Sequence, residues 1–238
     1  MCYHVASDEE QEVIEETFQA EFEFPHEPVH HADGFTHRAL PVITAEDRKI
    51  IKHLNWGLIP HWVKSWDDAK KLRVQTLNAM GETIFEKPSF RSYAPKNRCL
   101  ILVNGFYEWM HVGKEKYPHF IYMKDQKPFA FGGIYSNWED KATGKVHKTF
   151  SIVTTPANTM MEKIHNSKKR MPLIIPNEFH DAWLKADLMK DEIQNLILPL
   201  DHELMDAHTI CKLITSRKES SNQPKVRERF EYPELAIQ

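Results

Sequence analysis

Four side chains in this sequence have the types and settings to do chemistry: Cys2, Asn78, Glu108 and His165. The chain opens Met1-Cys2-Tyr3-His4, so removal of the initiator Met, usual ahead of a small residue, leaves Cys2 with a free α-amine beside its thiol. A thiol titrates near about 8.5 and an α-amine near about 7.7–8.0, so at neutral pH both are partly available as nucleophiles. Such a 1,2-aminothiol adds to an aldehyde through nitrogen and closes through sulfur to a five-membered thiazolidine, whereas a thiolate alone attacks acyl carbons. Glu108 stands between Tyr107 and Trp109 at the end of an apolar run. A carboxylate packed between aromatic rings loses hydration, which raises its pKa and suits it to general acid and base work. His165 follows Met161-Glu162-Lys163-Ile164, and Asn78 lies within Thr76-Leu77-Asn78-Ala79. Singly, each has an ordinary explanation: an early strand residue, an outward strand position, a histidine favoured by a helix dipole, and a turn or cap.

The rest of the chain narrows the chemistry. At 238 residues with 41% hydrophobic and 27% charged residues it suits one soluble globular domain, expected over residues 1–215 with a polar tail at 216–238. No apolar run approaches the ~20 residues of a membrane span, and no secretory leader is visible. Three cysteines without CxxC spacing fit a reducing compartment, with the cytoplasm as default. His26, His30, His31 and His37 sit in a loop without patterned Cys or carboxylate partners, so no metal site is expected, and no cofactor. Eight glycines never fall in a dinucleotide or P-loop spacing. The net charge of −3 is uneven: residues 1–30 hold nine acids and no Lys or Arg, leaving 31 basic against 25 acidic residues elsewhere. A local basic surface for nucleic acid is therefore open. Nothing demands more than a monomer.

Elements must bring the four residues together. Ser7-Asp8-Glu9-Glu10 has the form of a capping box, predicting a helix over 8–20. Strands are predicted at 48–58, 98–109, 117–123, 128–137, 146–155, 171–175 and 207–215, with short helices near 65–71, 82–87, 177–189 and 191–197. Thr155 is expected to cap a helix with Pro156 at its first position and His165 at its end. Consecutive strands interrupted by short helices argue for an α+β fold: a single domain with a mainly antiparallel, barrel-like β core and short peripheral helices.

Taken in order, the motifs resemble one family. They are Met1-Cys2; Trp56-Gly57-Leu58-Ile59-Pro60 with Trp62; Asn78-Ala79 with Glu82-Thr83; and Lys87-Pro88-Ser89-Phe90-Arg91. Then come Arg98-Cys99 leading to Gly105-Phe106-Tyr107-Glu108-Trp109; Thr154-Thr155-Pro156-Ala157-Asn158; and His165 followed by Arg170-Met171-Pro172. Over about residues 1–200 the chain resembles the SRAP family, the SOS response-associated peptidase proteins. The resemblance implies binding of single-stranded DNA at abasic sites and capture of the ring-opened sugar aldehyde by Cys2 as a thiazolidine crosslink. It implies that Glu108 moves protons during Schiff-base formation and helps remove Met1, that His165 assists sugar ring opening and crosslink reversal, and that Asn78 orients Cys2 or the sugar. Arg91 and Arg170 are the phosphate candidates it points to, and Pro41, Trp56 and Gly57 the candidates near base or sugar.

Three departures stand out: Met80 where Arg is frequent after Asn-Ala, a longer spacing from His165 to Arg170, and Tyr3-His4 after the Cys. Two other readings remain open at this point. One is a thiol autopeptidase or amidohydrolase using Cys2 with His165 and Glu108. The other is a non-catalytic single-stranded nucleic-acid-binding module.

Overall fold

The β-branched and alternating runs form strands that divide into two sheets. In the computed structural model, which describes residues 1–216 and 218–235, the first seven strands are β1 (His4–Ser7), β2 (Glu21–Phe22), β3 (Val29–Asp33), β4 (Ala39–Thr44), β5 (Asp47–Trp56), β6 (Asn78–Met80) and β7 (Arg98–Val103). The others are β8 (Gly105–Val112), β9 (Glu115–Met123), β10 (Phe129–Asp140), β11 (Lys145–Pro156), β12 (Arg170–Pro172), β13 (Ile174–Ile175) and β14 (Met205–Thr209). Five short helices lie among them: α1 (Gln11–Phe18), α2 (Trp66–Arg73), α3 (Thr159–Ile164), α4 (His180–Leu184) and α5 (Lys190–Leu196).

Strands β5, β4, β7, β10 and β11 pair antiparallel in that order, and a short parallel contact of β11 with β5, Phe150 opposite Trp56, closes the ring. Closure leaves no open edge in that layer and encloses a core. The second sheet, ordered β14-β9-β8-β1-β3, is antiparallel throughout. One apolar cluster spans the two, running from Leu54, Trp56, Phe131 and Phe150 of the barrel to Val5, Phe106 and Ile121 of the second sheet, with Cys2 among them. This is the expected α+β architecture with its barrel-like, mainly antiparallel core.

Several local expectations are corrected. Residues 98–109 are not one strand: β7 belongs to the barrel and β8 to the second sheet, and the chain changes sheets at Asn104. The crossing is pinned there, because Asn104 donates its backbone N–H to Ala6 and accepts from the backbone N–H of Asp8. Ser7 caps nothing, since it ends β1, and α1 starts at Gln11 after Glu10 without a side-chain cap. Asp8 is drawn away from the helix instead: its buried carboxylate holds His30 at 2.6 Å, Arg227 at 3.0 Å and the Asn104 amide. Asn158, not Thr155, caps α3, accepting from the Met161 N–H at 2.9 Å, while Pro156 still pairs in β11. Helical structure predicted to 189 ends at Leu184. The described residues after Ser216, in a tail expected to be extended or loosely packed, lie in part against the second sheet. Val226 is fully buried with Ala6, Tyr107 and Ile210, and the Phe230 N–H donates to Thr209 at 2.8 Å. Among the described residues no helix is long and apolar enough to cross a membrane.

Barrel closure depends on one glycine. Gly57 follows β5 at φ +102°, where it donates its backbone N–H to the Phe150 carbonyl oxygen of β11 at 2.9 Å, and a Cβ there would lie 2.8 Å from the Arg73 carbonyl oxygen. Both the left-handed backbone and the contact exclude a side chain. Gly57→Ala is expected to lower the free energy of unfolding by roughly 2–3 kcal/mol, read as a lower urea midpoint at unchanged slope.

Candidate active site

Cys2 lies in the seam between the two sheets. It immediately precedes the stretch in which β1 is held between β3 and β8, with His4 opposite both Asp33 and Tyr107. That register brings the next β8 residue, Glu108, beside the start of the chain. From the barrel side, β6 pairs parallel with β11, Asn78 opposite Ile152, and delivers the Asn78 amide. His165 comes from the C-terminal end of α3, which packs on β8. Three remote segments thus converge on the Met1–Cys2 terminus.

Asn78 Nδ2 donates to the Cys2 carbonyl oxygen at 2.8 Å. The Cys2 thiol is fully buried, and its polar contact is the His4 carbonyl oxygen at 3.7 Å. The α-amine of Met1 lies 3.4 Å from His165 Nε2. His165 Nδ1 donates to the Arg170 carbonyl oxygen at 2.8 Å, which assigns the tautomer: the lone pair of Nε2 faces the amine. Glu108 Oε1 lies 3.7 Å from His165 Nδ1, beyond hydrogen-bond reach.

Burial sets the charge states. Loss of hydration pushes the Glu108 carboxyl up to about 8, with the α-amine and the Trp109 N–H pulling the other way. Desolvation, then the positive charge of the amine, pushes His165 down to about 4. Desolvation likewise lowers the amine and raises the thiol, and nearby Glu108 adds to the rise. At pH 7 the prevailing state is therefore a protonated acid beside a neutral imidazole, so their contact is not an ion pair. Two buried acceptors, Glu108 Oε1 and Asn78 Oδ1, have no hydrogen-bond partner among the described residues. Buried polar atoms are rarely left so. Alongside lies a cavity of about 430 Å³ lined by Met1, Tyr3, His4, Glu108, His165 and Lys168.

The candidate DNA contacts are not brought together in the same way. Trp56 is fully buried, stacked on Phe150 and donating Nε1–H to Leu77 at 2.8 Å, so its ring belongs to the core and cannot meet a base. Gly57 is the backbone turn beside it. Pro41 is buried in β4 and lines a separate cavity with His26, Arg38 and His53. The Arg170 guanidinium, expected at a phosphate, is already engaged by the Glu82 carboxylate and by Thr154. Arg91 alone of the five is exposed, in the turns after Pro88.

The profile of the SOS response associated peptidase (SRAP) family matches residues 1–217. The chain belongs to this family. It is 36% identical over 184 residues to abasic site processing protein YoqW of Bacillus subtilis, covering 76% of this chain and 79% of that protein. It is 30% identical over 175 residues to abasic site processing protein HMCES of Gallus gallus, covering 65% of this chain and 51% of that one. A crystal structure of a protein from Bacteroides thetaiotaomicron superposes with a TM-score of 0.91 at 38% identity, over 97% of this chain and all of the other.

In this SRAP chain, sequence reasoning missed part of the cavity wall. His4, His111 and Lys116 line it. Only the strand pairing that sets His111 opposite Lys116 could have revealed the last two as neighbours. Trp62, half exposed and reaching the Pro88 carbonyl oxygen at 3.4 Å, was visible as a motif residue but not as a surface one.

The raised carboxyl also fixes a stability profile. Between the unfolded value near 4.5 and the folded value of about 8, the folded chain holds a proton that the unfolded chain releases. Stability therefore falls as pH rises through that window. Glu108→Gln removes this dependence, so its unfolding free energy relative to wild type is expected to rise from pH 5 to pH 8.5 by a few kcal/mol. Urea midpoints across that range check the sign.

Proposed function

We propose that the chain captures single-stranded DNA at abasic sites as a covalent thiazolidine through Cys2, once Met1 has been removed. The observation that carries this reading is the convergence on the Met1–Cys2 terminus of a protonated carboxyl, a neutral imidazole and a carbonyl-gripping amide. Burial lowers the pKa of the Met1 α-amine, and a Cys2 amine left in the same seam would be shifted toward the unprotonated nucleophile that such a reaction needs. Met1 lines the cavity, so its loss adds its space at the point where Cys2 then begins.

Each proton has a place to go. In removal of Met1, water adds its hydroxyl to the Met1 carbonyl carbon, Glu108 gives a proton to the departing Cys2 nitrogen and regains one from that water. In capture, the Cys2 amine adds to the aldehyde carbon of the opened sugar, and His165 passes the nitrogen's proton to the former carbonyl oxygen. Glu108 then protonates that hydroxyl, water departs, and a protonated imine (iminium) forms. The Glu108 carboxylate left behind takes the thiol proton as sulfur closes on the imine carbon, returning the acid to its starting state. Asn78 holds the Cys2 carbonyl throughout. The geometry does not favour general thiol hydrolysis: His165 Nε2 faces the amine and not the sulfur, and the thiol is raised, not lowered.

Along the strand, exposed Arg91 would meet a phosphate, and Trp62 beside the same turn offers the flat face that buried Trp56 cannot. A cytoplasmic site of action, where thiols stay reduced, suits a chain with three unpaired cysteines.

A uracil-containing single strand treated with uracil glycosylase tests the reading. A heat-stable adduct is expected with wild type, none with Cys2→Ala, and an adduct rate at least about 100-fold lower with Glu108→Gln. Intact mass spectrometry of the active protein should show one Met fewer, and adduct formation by protein retaining Met1 would refute the aminothiol route. Separately, Arg91→Ala is expected to weaken DNA binding and to reduce the slope of log K against log salt by about 1, measured by titration at several salt concentrations.

A further inference from the structure

His4, like His111 and His165, faces the cavity beside Glu108, and it is the first member of a chain. His4 lines the cavity, and its Nδ1 lies 2.9 Å from His31 Nε2. His31 Nδ1 in turn lies 2.6 Å from the hydroxyl of Ser221. Ser221 belongs to the C-terminal segment, past residue 217 where the family match ends. That segment grips the same histidine twice, since the His31 backbone N–H also donates to Asn222 Oδ1 at 3.2 Å. Edge-on contacts with Trp109 and Tyr107 hold the two rings in place. Ser221 itself is half-buried, so the chain runs from the cavity toward the surface.

We propose that His4, His31 and Ser221 form a proton relay between the reactive cavity and solvent, completed by the C-terminal segment. The inference rests on the aldehyde-capture reading above. Glu108 and His165 recycle the protons of capture itself, but a Cys2 amine that arrives as ammonium must first lose one proton to the outside. A DNA strand seated over the cavity separates it from bulk water, and a path through protein then decides the rate. His4 Nε2 takes the ammonium proton. The His4 Nδ1 proton passes to His31 Nε2, the His31 Nδ1 proton to the Ser221 oxygen, and the original hydroxyl proton leaves to water. Both imidazoles end neutral with the proton on the opposite nitrogen, and turnover in the reverse direction resets them.

The charged and titratable surroundings permit this. Burial lowers both rings, His31 to about 4. Asp33 next to them on β3 opposes the shift, Arg38 adds to that of His31, and Tyr107 faces His31 from β8. Tyr3, Glu108, His111, Lys116, His165 and Lys168 line the cavity with His4. Neutral rings each keep one N–H and one lone pair, the state that can hand a proton on.

The test uses the full-length, Met-processed protein and a single-stranded oligonucleotide with one abasic site. Adduct formation is followed by rapid quench from pH 5.5 to 9, beside DNA affinity and thermal unfolding. His31→Gln, which keeps a polar side chain but cannot exchange protons between two ring nitrogens, is expected to slow capture roughly tenfold at unchanged affinity. The loss should be largest below the amine's pKa, where ammonium prevails. Ser221→Ala should show the same pH trend with a smaller loss and serves alone should His31→Gln fail to fold. His4→Ala should be rescued by added imidazole, with a rate that rises with azole basicity. Superimposable pH profiles for wild type, His31→Gln and Ser221→Ala would overturn the relay while leaving capture intact, as would rescue indifferent to basicity. Absence of any wild-type adduct would instead overturn the capture reading and the relay with it.

Discussion

The desolvation of the seam between the two sheets is the constraint on which the rest depends. In water a carboxyl and an imidazole at neutral pH would be largely anion and partly cation. Here exclusion of water reverses the order, with Glu108 raised to about 8 and His165 lowered to about 4. Two titratable groups whose surroundings push their pKa values past one another can divide the roles of acid and base between them. The same exclusion lowers the pKa of the Met1 α-amine and leaves two acceptors without partners among the described residues. A wetter seam would restore every one of these groups to its ordinary state.

Keeping water out is the work of strand pairing. β1 contributes only four residues, yet it is paired on both sides; it carries His4, and Cys2 stands two residues before it. Its far end is tied down by Asp8, whose carboxylate joins His30, Asn104 and Arg227, and so links β1, β3, the β7–β8 crossing and the C-terminal segment. A buried carboxylate with three partners is satisfied, whereas loss of any one partner would leave charge uncompensated. Asp8 therefore serves placement of the reactive residue and not the helix dipole to which its spacing pointed, a role left to Glu12 in the first turn of α1.

Much of this was legible beforehand, for identifiable reasons. Strand periodicity gave the α+β class, and the ordered motifs gave the four residues that meet at Cys2. What misled was local reading where tertiary contacts decide. Ser7 and Asp8 fit a capping pattern, but Asp8 has stronger partners 22 and 219 residues away. Trp56 matched a family motif, but an indole that fills the barrel and donates to Leu77 has no face left for a base. Arg170 has the charge for a phosphate, but Glu82 reaches it first. The contact of His31 with Ser221 spans 190 residues, and no periodicity reports a pair so far apart.

The longer spacing between His165 and Arg170 shows how the fold absorbs a departure without losing the chemistry. The His165 carbonyl oxygen accepts from the N–H groups of both Lys168 and Lys169, Lys169 adopts the left-handed conformation at φ +51°, and the Lys169 carbonyl accepts from Ala157. These bonds close the extra residues into a turn, so Arg170 still enters β12 in register with Pro156. Asn166 fixes the turn to β8 by bonding both backbone groups of His111. The Arg170 carbonyl consequently still meets His165 Nδ1, and the imidazole keeps the tautomer that faces the amine. Because the guanidinium is anchored on Glu82 and Thr154 while its carbonyl orients His165, Arg170 acts here as a strut for the imidazole. The inserted residues bring Lys168 to the cavity wall, so a positive charge beside the site is supplied by the turn and not by the arginine that closes it.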